Sequence, residues 1–196
     1  MQPFYKKLPI LLVVAGLFAS CSVEDLIPST EAVTQEETQY TIKSGAHETT
    51  NPFKPLKTNK IKFSVKFDKT AKYSTKDPNN QADINKLYGM ADCNSFHHTN
   101  SARFGWRWYQ GKLELHAYSY ANGVNSSKLV SAVDLDKWYT CEIKLEDNKY
   151  VFQVGNQKVE QPRGCDGEGV GYQLYPYFGG DETAPHEINI LIKNEK

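Results

Sequence analysis

Hydrophobic and polar side chains alternate with a period of two over most of the chain beyond residue 40. Between Ile61 and Asp68, every second side chain is apolar. Such alternation predicts a strand with one buried face, and no stretch shows the period of an amphipathic helix. Further strands are predicted at Ala102–Trp108, Leu113–Tyr120, Trp138–Glu146, Lys149–Gly155, Val170–Phe178 and Glu187–Lys193. Short strands separated by Gly- and Pro-containing turns predict an all-β fold, a two-sheet antiparallel jelly-roll sandwich.

The first predicted hairpin turns at Gln110-Gly111, since glycine at the second position suits a two-residue turn. Counting back from the turn pairs the two strands residue by residue. The pairs on the apolar face are Trp108–Leu113, Trp106–Leu115 and Phe104–Ala117. The pairs on the other face are Arg107–Glu114, Gly105–His116 and Arg103–Tyr118, with Tyr120 continuing it. A shift of one residue would exchange the faces, so the apolar pairs determine the register.

The polar face of this hairpin has two interpretations. In the first, Arg103, His116 and Tyr118 line a ligand groove in which arginine holds a carboxylate or sulfate in a fork. In the second, the face is ordinary solvated sheet surface. An Arg107–Glu114 cross-strand ion pair would then contribute roughly 0.2–1 kcal/mol.

The second predicted hairpin turns at Asp147-Asn148 and pairs Cys141 with Val154 on its apolar face. Cys141 is therefore expected to be buried and unreactive. Cys93 and Cys165 lie in polar loops, so if a disulfide forms we expect it between these two. No C-x-x-C pair occurs, which argues against a structural zinc site.

Three polar segments are candidate binding elements. In an alternating strand, Gln173, Tyr175 and Tyr177 share a face that could bind a sugar. Tyr172, Leu174 and Phe178 are then expected to face the core. Alternatively this is an aromatic edge strand, because Pro176 cannot donate to a central ladder. The loop 92–100, with His97-His98, is a candidate binding loop, with a metal site as the weaker alternative. No cofactor is expected, although Asp181 and Glu182 could ligate calcium if their loop is more than an acidic turn.

Composition narrows the classes of partner. The chain has 196 residues, which suits one folded domain. Its 23 basic and 23 acidic residues cancel, so there is no basic excess of the kind that nucleic-acid binding requires. Aromatic residues make up 12% of the chain. They either fill the β core or stack on sugar rings.

The N-terminus resembles a bacterial lipoprotein signal. Lys6-Lys7 precedes an apolar run, Leu8–Phe18, that is too short to span a bilayer. Ala19-Ser20-Cys21 follows and resembles a lipobox, with Phe18 where leucine is usual. We therefore expect a signal peptide over residues 1–20, a lipidated Cys21, a flexible tether to residue 39 and a β domain over residues 40–196. An ordinary secretory signal is the alternative.

The location expected from this signal is the outer membrane, with the protein lipid-anchored and exposed on the cell surface. Glu24 and Asp25 resemble the acidic signal of surface-exposed lipoproteins in Bacteroidota. The membrane would then be contacted through the lipid on Cys21.

The strand pattern resembles a known family, the concanavalin A-like lectin and glucanase jelly roll. The resemblance is carried by Trp138–Leu145 and Lys149–Val154. Asn100–Trp108 and Tyr175–Gly180 are similar to segments of uncharacterised Bacteroidota lipoproteins that are linked with polysaccharide uptake. The resemblance implies a carbohydrate ligand, although one fold hosts many activities.

The enzymes of that fold can be compared by motif. Family 16 glycoside hydrolases carry paired carboxylates in a Glu-x-Asp-x-x-Glu-like strand, and no such motif occurs here. Jelly-roll polysaccharide lyases use Tyr and His as acid and base, with Arg and Gln on the uronate carboxylate. Resemblance to them would assign these roles to Arg103, His116, Tyr118 and Gln173. However, Leu115-His116-Ala117 stands where those lyases have Gln-Ile-His.

The leading hypothesis is a non-catalytic lipoprotein that binds a polysaccharide or oligosaccharide in a groove on one sheet. The expected lining is Arg103, His116, Tyr118, Tyr120, Tyr175 and Tyr177. A polysaccharide lyase acting in the same groove is the first alternative. A structural or adhesion subunit of a surface protein complex is the second.

Overall fold

A computed structural model describes Met1 and residues 36–195. Residues 2–20 of the predicted signal, Cys21 and the tether up to residue 35 lie outside the described residues. Within them, twelve strands form two six-stranded sheets in which every pairing is antiparallel. This is the predicted jelly-roll sandwich. No helix in this part of the chain is long and apolar enough to cross a membrane.

The first sheet has the order β1-β12-β3-β8-β9-β10. Its strands are β1 (Glu37–Ile42), β12 (Ile188–Asn194), β3 (Lys60–Phe67), β8 (Tyr139–Glu146), β9 (Lys149–Val154) and β10 (Gln157–Pro162). The second sheet has the order β2-β11-β4-β5-β6-β7. Its strands are β2 (Pro55–Thr58), β11 (Gly169–Leu174), β4 (Asn85–Ala91), β5 (Ser101–Tyr109), β6 (Lys112–Ala121) and β7 (Val124–Val133). Two short helical turns, Lys69–Ala71 and Pro78–Ala82, lie between β3 and β4.

The registers predicted for both hairpins are confirmed. Trp106 pairs with Leu115 and Arg103 with Tyr118 across β5 and β6. Gln110 and Gly111 both have positive φ, 51° and 74°, as the tight turn requires. Cys141 pairs with Val154 across β8 and β9 and is fully buried. The apolar pairs therefore determine which side chains of β5 and β6 are left for the outer face.

The core lies between the two sheets and is rich in aromatic rings. Phe104 on β5 meets Phe63 on β3 and Phe152 on β9 nearly edge-on, with ring centroids 5.8 and 5.3 Å apart. Edge-to-face contacts of this kind add to the hydrophobic stabilisation of burial. Phe104 thus joins the two sheets directly beneath the outer face that carries Arg103.

Five strands were not predicted: β1, β2, β4, β7 and β10. The edge strands β7 and β10 expose most of their side chains, so they carry a weak hydrophobic pattern. β1 begins at Glu37, ahead of the predicted domain start at Tyr40. Conversely, the strand predicted over Val170–Phe178 ends at Leu174, two residues before Pro176.

The expected disulfide joins Cys93 to Cys165, across 72 residues of chain. Beside it Asp92 and Arg163 form a fully buried ion pair at 2.7 Å. The Tyr150 hydroxyl donates to the same carboxylate at 3.0 Å. These bonds fix the start of the loop 92–100 against the segment that leads into β11.

Candidate functional site

Two adjoining hollows open on the outer face of the second sheet, and Arg103, His97 and Tyr177 line both of them. Each has a volume of about 260 Å³. The first is completed by Lys86, Tyr118, Tyr120, His98, Gly179 and Gly180. The second is completed by Gln173, Leu174, Tyr175, Pro176, Glu48, Thr49 and Asn51. We call the two together the Arg103 groove.

Arg103 lies where the two hollows meet, and its charge is uncompensated. The residue is only 6% exposed. Among the residues that the structure describes, no carboxylate lies within ion-pair distance of it, and its Nε has no hydrogen-bond partner. Burial lowers the pKa of Arg103 to about 10, so the guanidinium stays charged at neutral pH. A buried cation without a partner is costly, and an anionic ligand would offset that cost.

Tyr118 lies directly across from Arg103 and faces the same groove. The guanidinium carbon is 5.5 Å from the centroid of the Tyr118 ring, a cation–π contact. Burial, together with the neighbouring Tyr120, raises the pKa of Tyr118 to about 12. Its hydroxyl is therefore a proton donor at neutral pH. The Tyr120 ring is 6.0 Å away and extends the aromatic wall.

Lys86 supplies a second cation on β4. Its Nζ donates to the Gly179 carbonyl at 2.8 Å and sits 5.2 Å from the centroid of the Tyr118 ring. Burial and the nearby Arg103 lower the pKa of Lys86 to about 8, and Asp83 opposes this shift. The first hollow therefore holds two cations that destabilise each other, which favours binding of an anion.

His97 lies in the loop before β5 and faces both hollows. Its Nδ1 is 2.9 Å from the Tyr172 hydroxyl, and its carbonyl accepts from the Ser101 hydroxyl at 2.7 Å. Burial, Arg103 and His98 lower the pKa of His97 to about 4. The imidazole is therefore neutral at neutral pH and can accept a proton. Its loop was predicted to be a candidate binding element, but His97 was not among the predicted site residues.

Gln173, Tyr175 and Tyr177, which were predicted to share one face, all line the second hollow, but each is held differently. The Gln173 amide donates to the carbonyl oxygens of Gly89 at 2.6 Å and Leu174 at 3.0 Å. The Tyr175 ring packs on core tyrosines, 5.9 Å from Tyr40, so only part of it borders the groove. The backbone of Tyr177 pairs with Lys86 on β4, which brings its ring into the groove.

Tyr172 also differs from its prediction as a core residue. It is half-buried, its ring is 5.4 Å from Phe53, and its hydroxyl contacts His97. Phe178, by contrast, lies in the core as predicted. The predicted alternation therefore fails at Tyr172 and Gln173, and it holds from Leu174 to Phe178.

His116 lies apart from the groove. Its Nε2 is 3.0 Å from the Glu114 carboxylate, which also accepts from Arg107 at 2.7 Å. Burial alone would raise the pKa of Glu114, but the hydrogen bonds from Arg107 and His116 lower it. A Cβ on Gly105 would approach Ile84 to 2.3 Å, so Ile84 fills the space beside the imidazole that the missing side chain of Gly105 would leave. His116 is 5% exposed and lines neither hollow.

The acidic loop considered for calcium has a structural use. The Glu182 carboxylate accepts from the backbone amides of Lys76 and Asp77 at 2.8 Å and from the Asn80 side chain. These bonds hold the segment that carries the second helical turn. The one metal-like cluster found in residues 36–195 is Asp92, Cys93 and Cys165, and its cysteines are joined in the disulfide.

No protein-family model matches this sequence, and no curated protein matches it. Solved structures do. An alginate lyase from a Chlorella virus superposes with a TM-score of 0.53 at 14% identity, over 82% of this chain and 83% of that one. The alginate lyase AlyC3 superposes with a TM-score of 0.51 at 11% identity, over 82% of this chain and 74% of that one. These likenesses establish the fold as a concanavalin A-like jelly roll.

Proposed function

We propose that this protein is a cell-envelope lipoprotein whose β-sandwich binds an acidic polysaccharide in the Arg103 groove. The observation that carries the proposal is the buried guanidinium of Arg103, which has no acidic partner among the described residues. A carboxylate or sulfate of the polymer would supply that partner through a two-pronged hydrogen bond.

The side chains around Arg103 favour a sugar as the carrier of that charge. Tyr118, Tyr120 and Tyr177 offer ring faces and hydroxyls in the same hollow, a combination that suits the C–H faces and hydroxyls of a pyranose. Lys86 adds a second positive charge close to the first. A uronate polymer is also in keeping with the names of the two alginate lyases that share the fold.

The envelope part of the proposal rests on the sequence. Cys21 would carry the lipid and anchor the protein at the outer membrane, and the tether would hold the groove away from the surface. The ligand would then be a polysaccharide outside the cell.

Affinity electrophoresis of the full-length protein in detergent, through gels that contain neutral or acidic polysaccharides, tests the binding. We expect a uronate or sulfated polymer to retard the protein, and neutral glucans not to. Arg103→Gln should abolish the retardation. Lys158→Gln removes one exposed positive charge on the first sheet and should leave it unchanged. Retardation that survives Arg103→Gln would contradict the proposal, and no retardation at all would favour a protein partner in a surface complex.

One arrangement supports polysaccharide lyase activity as a second candidate function. His97 is neutral and Tyr118 is protonated, and both border the hollow around Arg103. In β-elimination a base takes the proton from the carbon beside the uronate carboxylate. The adjacent C–O bond then breaks, an acid protonates the leaving oxygen, and a C=C bond forms in the product. Arg103 would neutralise the carboxylate, His97 would be the base and Tyr118 the acid.

The lyase candidate predicts an unsaturated product that absorbs in the ultraviolet. Its absorbance should disappear in Tyr118→Phe, a variant that keeps the ring and removes the acid. Retarded migration in the gel without any product would restrict the function to binding. The same assay on His116→Gln serves as the control, because His116 lies outside the groove and should not affect the rate.

A further inference from the structure

A third and larger hollow lies beside the Arg103 groove, with a volume of about 720 Å³. Phe53, Phe96 and Tyr172 contribute aromatic rings to its lining. Phe53 is 75% exposed and Phe96 is 60% exposed, although both are large apolar side chains. Val170 adds a further exposed apolar side chain to the lining. The hollow thus concentrates apolar surface that would gain from being covered.

The aromatic hollow adjoins the Arg103 groove through contacts between their lining residues. The Tyr172 ring is 5.4 Å from Phe53, and the Tyr172 hydroxyl contacts His97 in the groove at 2.9 Å. The Phe96 ring is 4.3 Å from that of His97 and 5.2 Å from that of His98. A row of rings therefore leads from Phe53 to the imidazoles that line the first two hollows.

The two sites differ in charge. Lys57 is the cation that lines the aromatic hollow, and its Nζ is paired with the Glu168 carboxylate at 3.1 Å. Within residues 36–195, Arg103 has no such ion-pair partner, and its Nε has no hydrogen-bond partner. The groove is thus suited to a carboxylate, whereas the aromatic hollow is suited to the apolar face of a ring.

We propose that the Phe53–Phe96–Tyr172 hollow is a second subsite, in which the next part of the same polysaccharide stacks a sugar ring through its C–H face. This inference rests on the proposed function. The site would recognise ring shape, while Arg103 recognises charge. If the hollow is such a subsite, the affinity of the protein for an oligosaccharide should rise with the length of the oligosaccharide until one molecule spans both sites.

Titration calorimetry of the full-length protein in detergent tests the subsite, with galacturonate and mannuronate oligomers of increasing length as the probes. The Phe53→Ala, Phe96→Ala double variant should bind the shortest oligomers like the parent protein. It should bind the longer ones roughly tenfold more weakly, because it loses the ring contacts. Val124→Ala, which shortens another exposed apolar side chain, should bind both classes like the parent protein.

The outcomes separate the subsite from the proposed function. Equal affinity of the double variant and the parent protein for long oligomers would overturn the subsite and leave the Arg103 groove intact. Failure of the parent protein to bind any oligomer would overturn both. A dimer that sedimentation detects in the parent protein and not in the double variant would assign the aromatic surface to self-association, which also overturns the subsite.

Discussion

Arg103 on β5 stands directly opposite Tyr118 on β6, with its guanidinium carbon 5.5 Å from the centroid of the tyrosine ring. The register of the hairpin creates this contact, because Phe104 and Ala117, the next pair, face the core. The ring offers the cation a weak electrostatic partner and no hydrogen-bond acceptor equal to a carboxylate. The pair therefore leaves a positive charge without an acidic partner among the described residues, which is the basis of the proposed anion site.

Because that charge lacks an acidic partner in the part of the chain that the structure describes, Arg103→Met should make the protein more stable and at the same time abolish binding. Methionine fills similar space and removes a desolvated cation, so the free energy of unfolding should rise by about 1 kcal/mol or more. Retardation by acidic polysaccharides should be lost in the same variant. Thermal and urea unfolding would measure the first effect. A lower unfolding midpoint would mean that Arg103 has a stabilising partner and that its role is structural.

The same substitution at Arg163 should have the opposite effect on stability. Arg163 is as buried as Arg103, but it forms an ion pair with Asp92 at 2.7 Å. Arg163→Met would leave the Asp92 carboxylate buried with only the Tyr150 hydroxyl and weaker donors, a change that typically costs about 3–5 kcal/mol. Urea unfolding with the Cys93–Cys165 disulfide intact would measure it. If both variants changed stability in the same direction, the contrast between a paired and an unpaired arginine would be refuted.

The hairpins were predictable because each has a two-residue turn and a regular apolar face. Once Gln110-Gly111 is accepted as the turn, the position of Arg103 opposite Tyr118 follows by counting. Much of the remaining site depends on topology that the local pattern does not contain. Lys86 reaches the groove from β4, a strand that was not predicted. His97 reaches it from a loop whose position depends on the Cys93–Cys165 disulfide, which joins residues 72 positions apart in the sequence.

His116 shows the limit of counting along one hairpin. The predicted pairing of Gly105 with His116 is confirmed, but the pairing does not determine whether the space over Gly105 is open. Ile84, which lies between the second helical turn and β4, fills the space over Gly105. A side chain from a distant segment can thus close a face that the pairing alone leaves free.

Lys86 should make anion binding depend on pH. Its pKa is lowered to about 8 in the free protein, mainly by burial. A bound carboxylate favours the charged amine, so binding takes up a proton when the pH is above that value. Affinity for uronate oligomers should therefore be constant between about pH 6 and 7 and should fall as the pH rises through 8 and above.

Lys86→Met is the matched variant for this titration. It should bind more weakly at neutral pH and lose the decline in affinity between about pH 7 and 9, which lies below the Arg103 pKa of about 10. Calorimetry in two buffers of different ionisation enthalpy would also show the proton uptake directly. The same decline in Lys86→Met as in the parent protein would assign the titration to another group.

Cys21 provides the test of location, because the proposed anchor depends on one side chain that lies outside the described residues. Two acyl chains on Cys21 would anchor the protein stably, so washing with salt should not release it from the membrane. The parent protein should therefore stay with the membrane fraction until detergent is added, and mass spectrometry should find a lipid on its N-terminal peptide. Cys21→Ser should remove the lipid, whereas Ser22→Ala, which changes the adjacent residue, should retain it. Release of the parent protein without detergent, together with an unmodified cysteine, would establish an ordinary secretory signal. The groove would then bind its ligand as part of a secreted protein without a membrane anchor.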